Sequence, residues 1–153
     1  MITENAVYSD EVTIHAPAEL VWEILLDFDN YGEWNTFCPS AKNDSLELGS
    51  AVDMMVDLGN GLTRQVEYIC RVEPNECIAW AMENKPEDPV HAVRSQYLKR
   101  LDENRCTYIS VDEFSGPQMA AMMEHFAAAV ETGFNRCAYG LKTHAEKAFE
   151  ASA

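Results

Sequence analysis

The chain has 153 residues, and its 47% hydrophobic and 10% aromatic content is enough for one packed core and too much for a disordered chain. A net charge of −15 repels phosphate backbones and anionic lipid, so neither nucleic acid nor stable membrane association is expected. No apolar run approaches the roughly 20 residues that span a bilayer, and the opening MITENAVYSDE has no basic patch followed by an apolar stretch, so a cytoplasmic location is expected.

Residues 7–15, VYSDEVTIH, are rich in β-formers and predict a strand. Ala16-Pro17 breaks it, and Pro17 suits the first turn of a helix. In AELVWEILLDF, Leu20, Val21, Ile24, Leu25 and Phe28 recur at three- and four-residue steps and predict that helix. Asp29-Asn30 and Gly32 end it. DFDNYGEWNTFCPS, residues 27–40, sets four aromatics (Phe28, Tyr31, Trp34, Phe37) among turn residues and predicts a second short helix closed by Pro39. Strands follow. Val52, Met54 and Val56 share a face, Gly59-Asn60-Gly61 is a turn, and Thr63 to Val72 is a strand. Cys77 to Glu83 carries Ile78, Trp80 and Met82 on one face. His91 to Leu101 and Cys106 to Phe114 form a hairpin closed by Asp102-Glu103-Asn104. Ser115-Gly116-Pro117 ends the sheet, and one helix runs from about Gln118 to Phe149 with its apolar stripe facing the sheet. The order predicts an α+β domain spanning 1–153, with helices on one side of a mostly antiparallel sheet.

Five cysteines (Cys38, Cys70, Cys77, Cys106, Cys137) are an odd number without a CxxC, and read as reduced thiols. The four histidines form no HxxxH or HxH pair. Neither a metal nor a cofactor is expected.

Five stretches carry a resemblance. These are APAELVW (16–22), DFDNYGEWN (27–35), VEPNECIAW (72–80), EFSG (113–116) and GFNRCAYGLKTHAE (133–146). In this order they resemble the SRPBCC (START-like, helix-grip) superfamily, in particular its polyketide cyclase/dehydrase and lipid-transport branch. The resemblance implies a helix-grip fold: a curved antiparallel sheet of about seven strands around the long C-terminal helix, with two short helices after the first strand. It also implies a cavity between sheet and helix, with Trp34 and Phe37 at its rim and Phe28 and Tyr31 capping the small helices. It does not fix the chemistry, because such folds serve cyclases, dehydratases, lipid carriers, receptors and co-chaperones.

Strand parity then selects inward residues. Val52, Met54 and Val56 are taken inward, with Ile78, Trp80 and Met82. His91, Val93, Ser95 and Tyr97 are taken from the next strand, although His91 follows a Pro-rich loop and is expected at the surface. From the last strand the family pattern favours Tyr108, Ser110, Asp112 and Phe114. A three-residue loop at 102–104 would instead set Thr107, Ile109 and Val111 across from Tyr97. Over 63–72 both Val66-Tyr68-Cys70 and Gln65-Glu67-Ile69 remain open. The helix contributes Met119, Met122, Met123, Phe126, Val130 and Phe134, and methionines suit a surface that adapts to an apolar guest. The expected ligand contacts are therefore Trp34, Phe37, Met54, Trp80, Met82, Val93, Ser95, Tyr97, Tyr108, Ser110, Asp112, Met122, Phe126 and Val130. The expected partner is a small apolar or aromatic ligand, bound by a monomer or homodimer. Binding or carriage is the first reading. A cyclase or dehydratase using Asp112 and a tyrosine (Tyr97 or Tyr108) as acid and base is the second. A co-chaperone-like interaction module is the third.

Overall fold

The computed structural model describes residues 1–153. Eight strands form one antiparallel sheet: β1 (Ala6–Tyr8), β2 (Val12–Ile14), β3 (Ser40–Lys42), β4 (Ala51–Asp57), β5 (Leu62–Glu73), β6 (Cys77–Ala81), β7 (His91–Asp102) and β8 (Arg105–Ser115). Their spatial order is β1-β8-β7-β6-β5-β4-β3, and β2 also pairs with β8. The helices are α1 (Ala18–Leu26), a 3-10 helix (Phe28–Glu33) and α2 (Met119–Ala151). No helix is long and apolar enough to cross a membrane.

The single strand expected at 7–15 is two. The Ser9 hydroxyl accepts from the Ser110 amide at 3.0 Å, and the Asp10 amide donates to Asn135 Oδ1 on α2 at 2.6 Å. Those bonds divert the backbone from the ladder between Tyr8 and Val12. The second difference in count is β3, a three-residue edge strand beside β4.

The aromatic-rich stretch after α1 is a wedge. Phe28 packs its ring 5.3 Å from Tyr31 and 6.0 Å from Trp80, and Tyr31 meets Trp34 edge-on at 5.0 Å. The Tyr31 hydroxyl donates to the Leu25 carbonyl at 2.5 Å, so the ring is tied to the end of α1. Phe37 meets Phe134 of α2 edge-on at 5.5 Å. All four residues are buried. They need no exposed loop surface because the wedge lies between α2 and the sheet.

Helix α2 has 33 residues and spans about 50 Å at 1.5 Å per residue. Its buried stripe of Met123, Ala127, Val130, Phe134, Cys137, Leu141 and Ala145 keeps three- and four-residue spacing. Its close backbone neighbours are α1, β1, β2 and β8. It therefore clamps one end of the sheet and stands off from β4 to β7, which leaves space between them.

Two glycines set how near the wedge comes to α2. A Cβ at Gly140 would overlap the Trp34 carbonyl oxygen, and one at Gly133 would overlap the Phe37 ring. Gly to Ala inside a helix ordinarily stabilises by about 1 kcal/mol. Here the sign should reverse at Gly140, where the new methyl meets backbone. Gly140→Ala is expected to lower stability by about 1–3 kcal/mol, the usual cost of overpacking. The urea midpoint at constant slope measures it, and a gain would mean the wedge yields freely.

Candidate functional site: a cavity with buried charge

The space between α2 and the sheet is a cavity of about 300 Å³. Strands β4 to β8 each give side chains two residues apart, the spacing of one sheet face. They are Met54 and Val56, Gln65 and Glu67, Trp80 with Met82 just beyond β6, Ala92 and Arg94, and Asp112 and Phe114. Helix α2 adds Met122, Phe126, Val130 and Phe134, and Phe37 and Leu58 complete the wall. Twelve of the sixteen are hydrophobic, so the four polar ones must account for any specificity. Met82 and Phe126 are 42% and 49% exposed, which places the mouth beside them.

Eight of the expected contacts reach this wall: Phe37, Met54, Trp80, Met82, Asp112, Met122, Phe126 and Val130. Trp34 does not, being buried against Tyr31 and Gly140 instead. Val93, Ser95 and Tyr97 lie on the opposite face of β7, where Tyr97 sits under the Arg71 guanidinium at 5.8 Å. The hairpin register explains the correction. Asp102 pairs with Arg105 across a two-residue turn, and a bulge between Arg100 and Asp102 shifts the ladder. Tyr97 then pairs with Ile109, and Arg94 with Asp112. Direct cross-strand partners share a face, so an inward Asp112 requires an inward Arg94. Tyr108 and Ser110 do point inward, but they lie below the cavity floor. The Tyr108 hydroxyl donates to Gln96 Oε1 at 2.6 Å, and both residues are fully buried. On β5, Gln65, Glu67 and Ile69 are the inner set.

Sequence reasoning did not find Arg94, and it left Glu67 undecided. Taking Val93, Ser95 and Tyr97 inward put Arg94 on the outer face, and its only signal is its pairing with Asp112 across the hairpin. Its side chain is 5% exposed. Nε donates to Ser110 Oγ at 2.9 Å, and Nη2 lies 3.8 Å from Cys137 Sγ. Three rings surround the guanidinium: Phe134 at 4.3 Å, Phe37 at 5.5 Å and Trp80 at 5.8 Å. Such faces attract a cation, more so when it is desolvated. Nη1 has no protein partner, and no carboxylate forms an ion pair with the group. Burial works against its charge, and the neighbouring Tyr108, Cys137 and Asp112 work for it, with a net shift upward. Arginine keeps its proton in any case.

Two carboxyls share the wall. Burial pushes Asp112 up to about 8, helped by the Glu67 charge and opposed by Arg94. Burial likewise pushes Glu67 up to about 7, again opposed by Arg94. Each keeps some accessible surface, and both line the cavity. Asp112 Oδ1 has no hydrogen-bond partner. The wall thus offers one fixed cation and two carboxyls that gain or lose protons near neutrality.

Both carboxyls hold their protons more tightly in the folded chain than in the unfolded one. Stability is therefore full below the ordinary carboxylate range and declines as pH rises through about 7 and 8. Asp112→Asn and Glu67→Gln remove that decline. Each is expected to raise the unfolding midpoint at pH 8.5, by about 1–3 kcal/mol of stability, and to change it least near pH 5. Thermal melts of the variants across this range measure the crossover.

The sequence matches the family described as polyketide cyclase / dehydrase and lipid transport over residues 6–146. Among curated proteins nothing matches. Among solved structures, the Zhui aromatase/cyclase from Streptomyces sp. R1128 is similar with a TM-score of 0.76 at 22% identity, covering 97% of each chain. The di-domain aromatase/cyclase BexL of the BE-7585A biosynthetic pathway is similar at a TM-score of 0.64 and 14% identity, over 94% of this chain and 51% of that one. A START superfamily protein from Mycobacterium smegmatis gives 0.62 at 13%, over 90% of this chain and 99% of that one. At these identities the likeness is one of fold, and it agrees with the open antiparallel sheet closed by a long C-terminal helix. With the family match covering nearly all of its length, the chain belongs to the polyketide cyclase / dehydrase and lipid transport family.

Proposed function

We propose that this protein binds a small, largely apolar aromatic molecule in the cavity between α2 and β4–β8. The observation that carries the reading is the cavity itself: about 300 Å³, apolar around most of its wall, with a compact polar patch of Arg94, Asp112, Glu67 and Gln65. Protein interiors of this size rarely leave such space unfilled. An apolar hole of about 150 Å³ accepts one benzene, so this one suits about two fused rings. Phe37, Trp80, Phe126 and Phe134 offer ring faces and edges. Met54, Met82 and Met122 offer side chains that reshape around a guest. A carrier or sensor needs no more than this. The free thiols and the acidic surface fit a cytoplasmic setting.

A second reading has its own observation, the pair of carboxyls titrating near neutrality on the wall. Aldol closure of a chain bearing β-carbonyls needs a base to take an α-proton, a cation to hold the enolate oxygen, and an acid to protonate the new alkoxide. Dehydration then needs a base to take the second α-proton and an acid for the departing hydroxyl, which leaves as water. Burial raises both carboxyls toward neutrality and their mutual repulsion favours a single shared proton, so the pair could serve as base and acid. Arg94 would hold the enolate oxygen. No tyrosine is available for this role, because Tyr97 is on the far face and Tyr108 is sealed below the floor. Glu67 takes the tyrosine's place in the acid-base pair.

Calorimetric titration with a neutral two-ring aromatic tests the binding reading. Saturable binding at one site is expected, and Ala92→Trp, which fills the cavity, should weaken it at least tenfold. Met122→Trp should do the same from the mouth. Undiminished binding to both folded variants would place the ligand elsewhere. For the second reading, Asp112→Asn should lower kcat/KM on a poly-β-carbonyl substrate by about 10²–10⁴-fold.

A further inference from the structure

A charged group that is buried yet unpaired in the ligand-free protein asks what completes it. Arg94 uses Nε and Nη2 on Ser110 and Cys137, Nη1 makes no hydrogen bond, and the residue lines the cavity. The aromatic rings around it compensate its charge in part, but they accept no hydrogen bond of the strength a carboxylate oxygen does. Asp112 stands directly across the ladder, yet its Oδ1 is unpartnered and no ion pair closes between them. A cation fixed by two bonds from behind, with its free edge turned to an apolar hole, is the arrangement of a receptor for an anionic head.

We propose that the cavity selects small aromatic acids, held by an anionic oxygen against the free edge of Arg94 with their rings among Phe37, Trp80 and Phe126. This rests on the binding reading above and narrows its ligand class. The charge balance favours it in one protonation state. The groups facing Arg94 are Asp112 and Tyr108 from β8, Glu67 from β5, Cys137 from α2, and Tyr31 and Cys38 from the wedge. Glu113 also acts on Asp112. Burial holds the phenols of Tyr31 and Tyr108 well above their ordinary range and pushes the Cys38 thiol up to about 12, so all three stay neutral. Asp112 and Glu67 are the variable charges. Below pH 7 both carry protons, Arg94 stands without a buried counter-ion, and an incoming carboxylate supplies one. Above pH 8 both are ionised and repel it. Binding of the anion is therefore linked to proton uptake.

The test titrates the full chain with 2-naphthoate, its neutral isostere 2-naphthamide, and the cation 2-naphthylmethylammonium, at pH 6, 7.5 and 9. Two buffers of different ionisation heat count the protons. The expected result is that naphthoate binds at least tenfold more tightly than naphthamide at pH 6 with little proton uptake, takes up protons on binding at pH 7.5, and weakens tenfold or more by pH 9. Arg94→Met should bring the naphthoate-to-naphthamide ratio to about one. If that variant does not fold, the double variant Glu67→Gln/Asp112→Asn decides, because its naphthoate affinity should be the same at pH 6 and pH 9. Naphthamide binding as tightly as naphthoate at pH 6 would overturn the proposal and leave the binding reading standing. So would a preference for the ammonium that grows with pH, since the carboxyls would then read the head group. Failure of all three probes would overturn both.

Discussion

A guanidinium cannot shed its proton to escape a low-dielectric interior, so a chain that buries one must build its surroundings to suit. Removing such a group from water costs several kcal/mol even after relaxation. Much of the interior can be read as a response to Arg94. The Phe134, Phe37 and Trp80 rings lie within 4.3–5.8 Å of it, Ser110 accepts from it, and Asp112 and Glu67 lie close enough for each to feel its charge. Its effect on those acids is to hold their affinity for protons below what burial alone would give. The same group ties three layers together, because its partners come from β8, α2 and the aromatic wedge.

The cavity follows from where α2 can and cannot approach. At β1, β2 and β8 the helix lies close, and at Gly140 the wedge backbone touches it directly. Farther along, Gly133 admits the Phe37 ring, which becomes a wall. Beyond that point the helix presents Val130, Phe126 and Met122 to the inner faces of β4–β7 without filling the gap. Tight closure at one end and an open one at the other come from the same helix, through the sizes of its inward residues.

The architecture was largely legible in the sequence. Period-two patterns over 51–57 and 77–82, the Gly59-Asn60-Gly61 turn and the long apolar stripe of α2 each point to one structure, and the family stretches set them in order. The site was half legible. Met54, Trp80, Met82 and the α2 residues could be placed because apolar patterning and the cavity wall coincide there. Arg94 could not, because patterning puts charged residues outside, and a buried charge breaks that rule. Tyr97 was placed inward by the same rule and belongs outside. The register found, Tyr97 opposite Ile109, is the one a three-residue loop at 102–104 gives; the family pattern was right to keep Asp112 inward on β8, and with that pairing Tyr97 had to face outward. Trp34 was placed at the rim by resemblance, but its backbone is drawn to Gly140, and that contact lies between segments more than a hundred residues apart.

The door to the cavity is made of side chains. Met82 and Phe126 flank the opening on a strand end and a helix, and both stand well out into solvent. Exposed side chains change rotamer in picoseconds to nanoseconds, whereas loops and domains take microseconds or longer. The ligand proposed above would therefore need no segment of backbone to swing aside on its way in. On that proposal its residence time would follow from its grip on the interior and not from the opening of a lid.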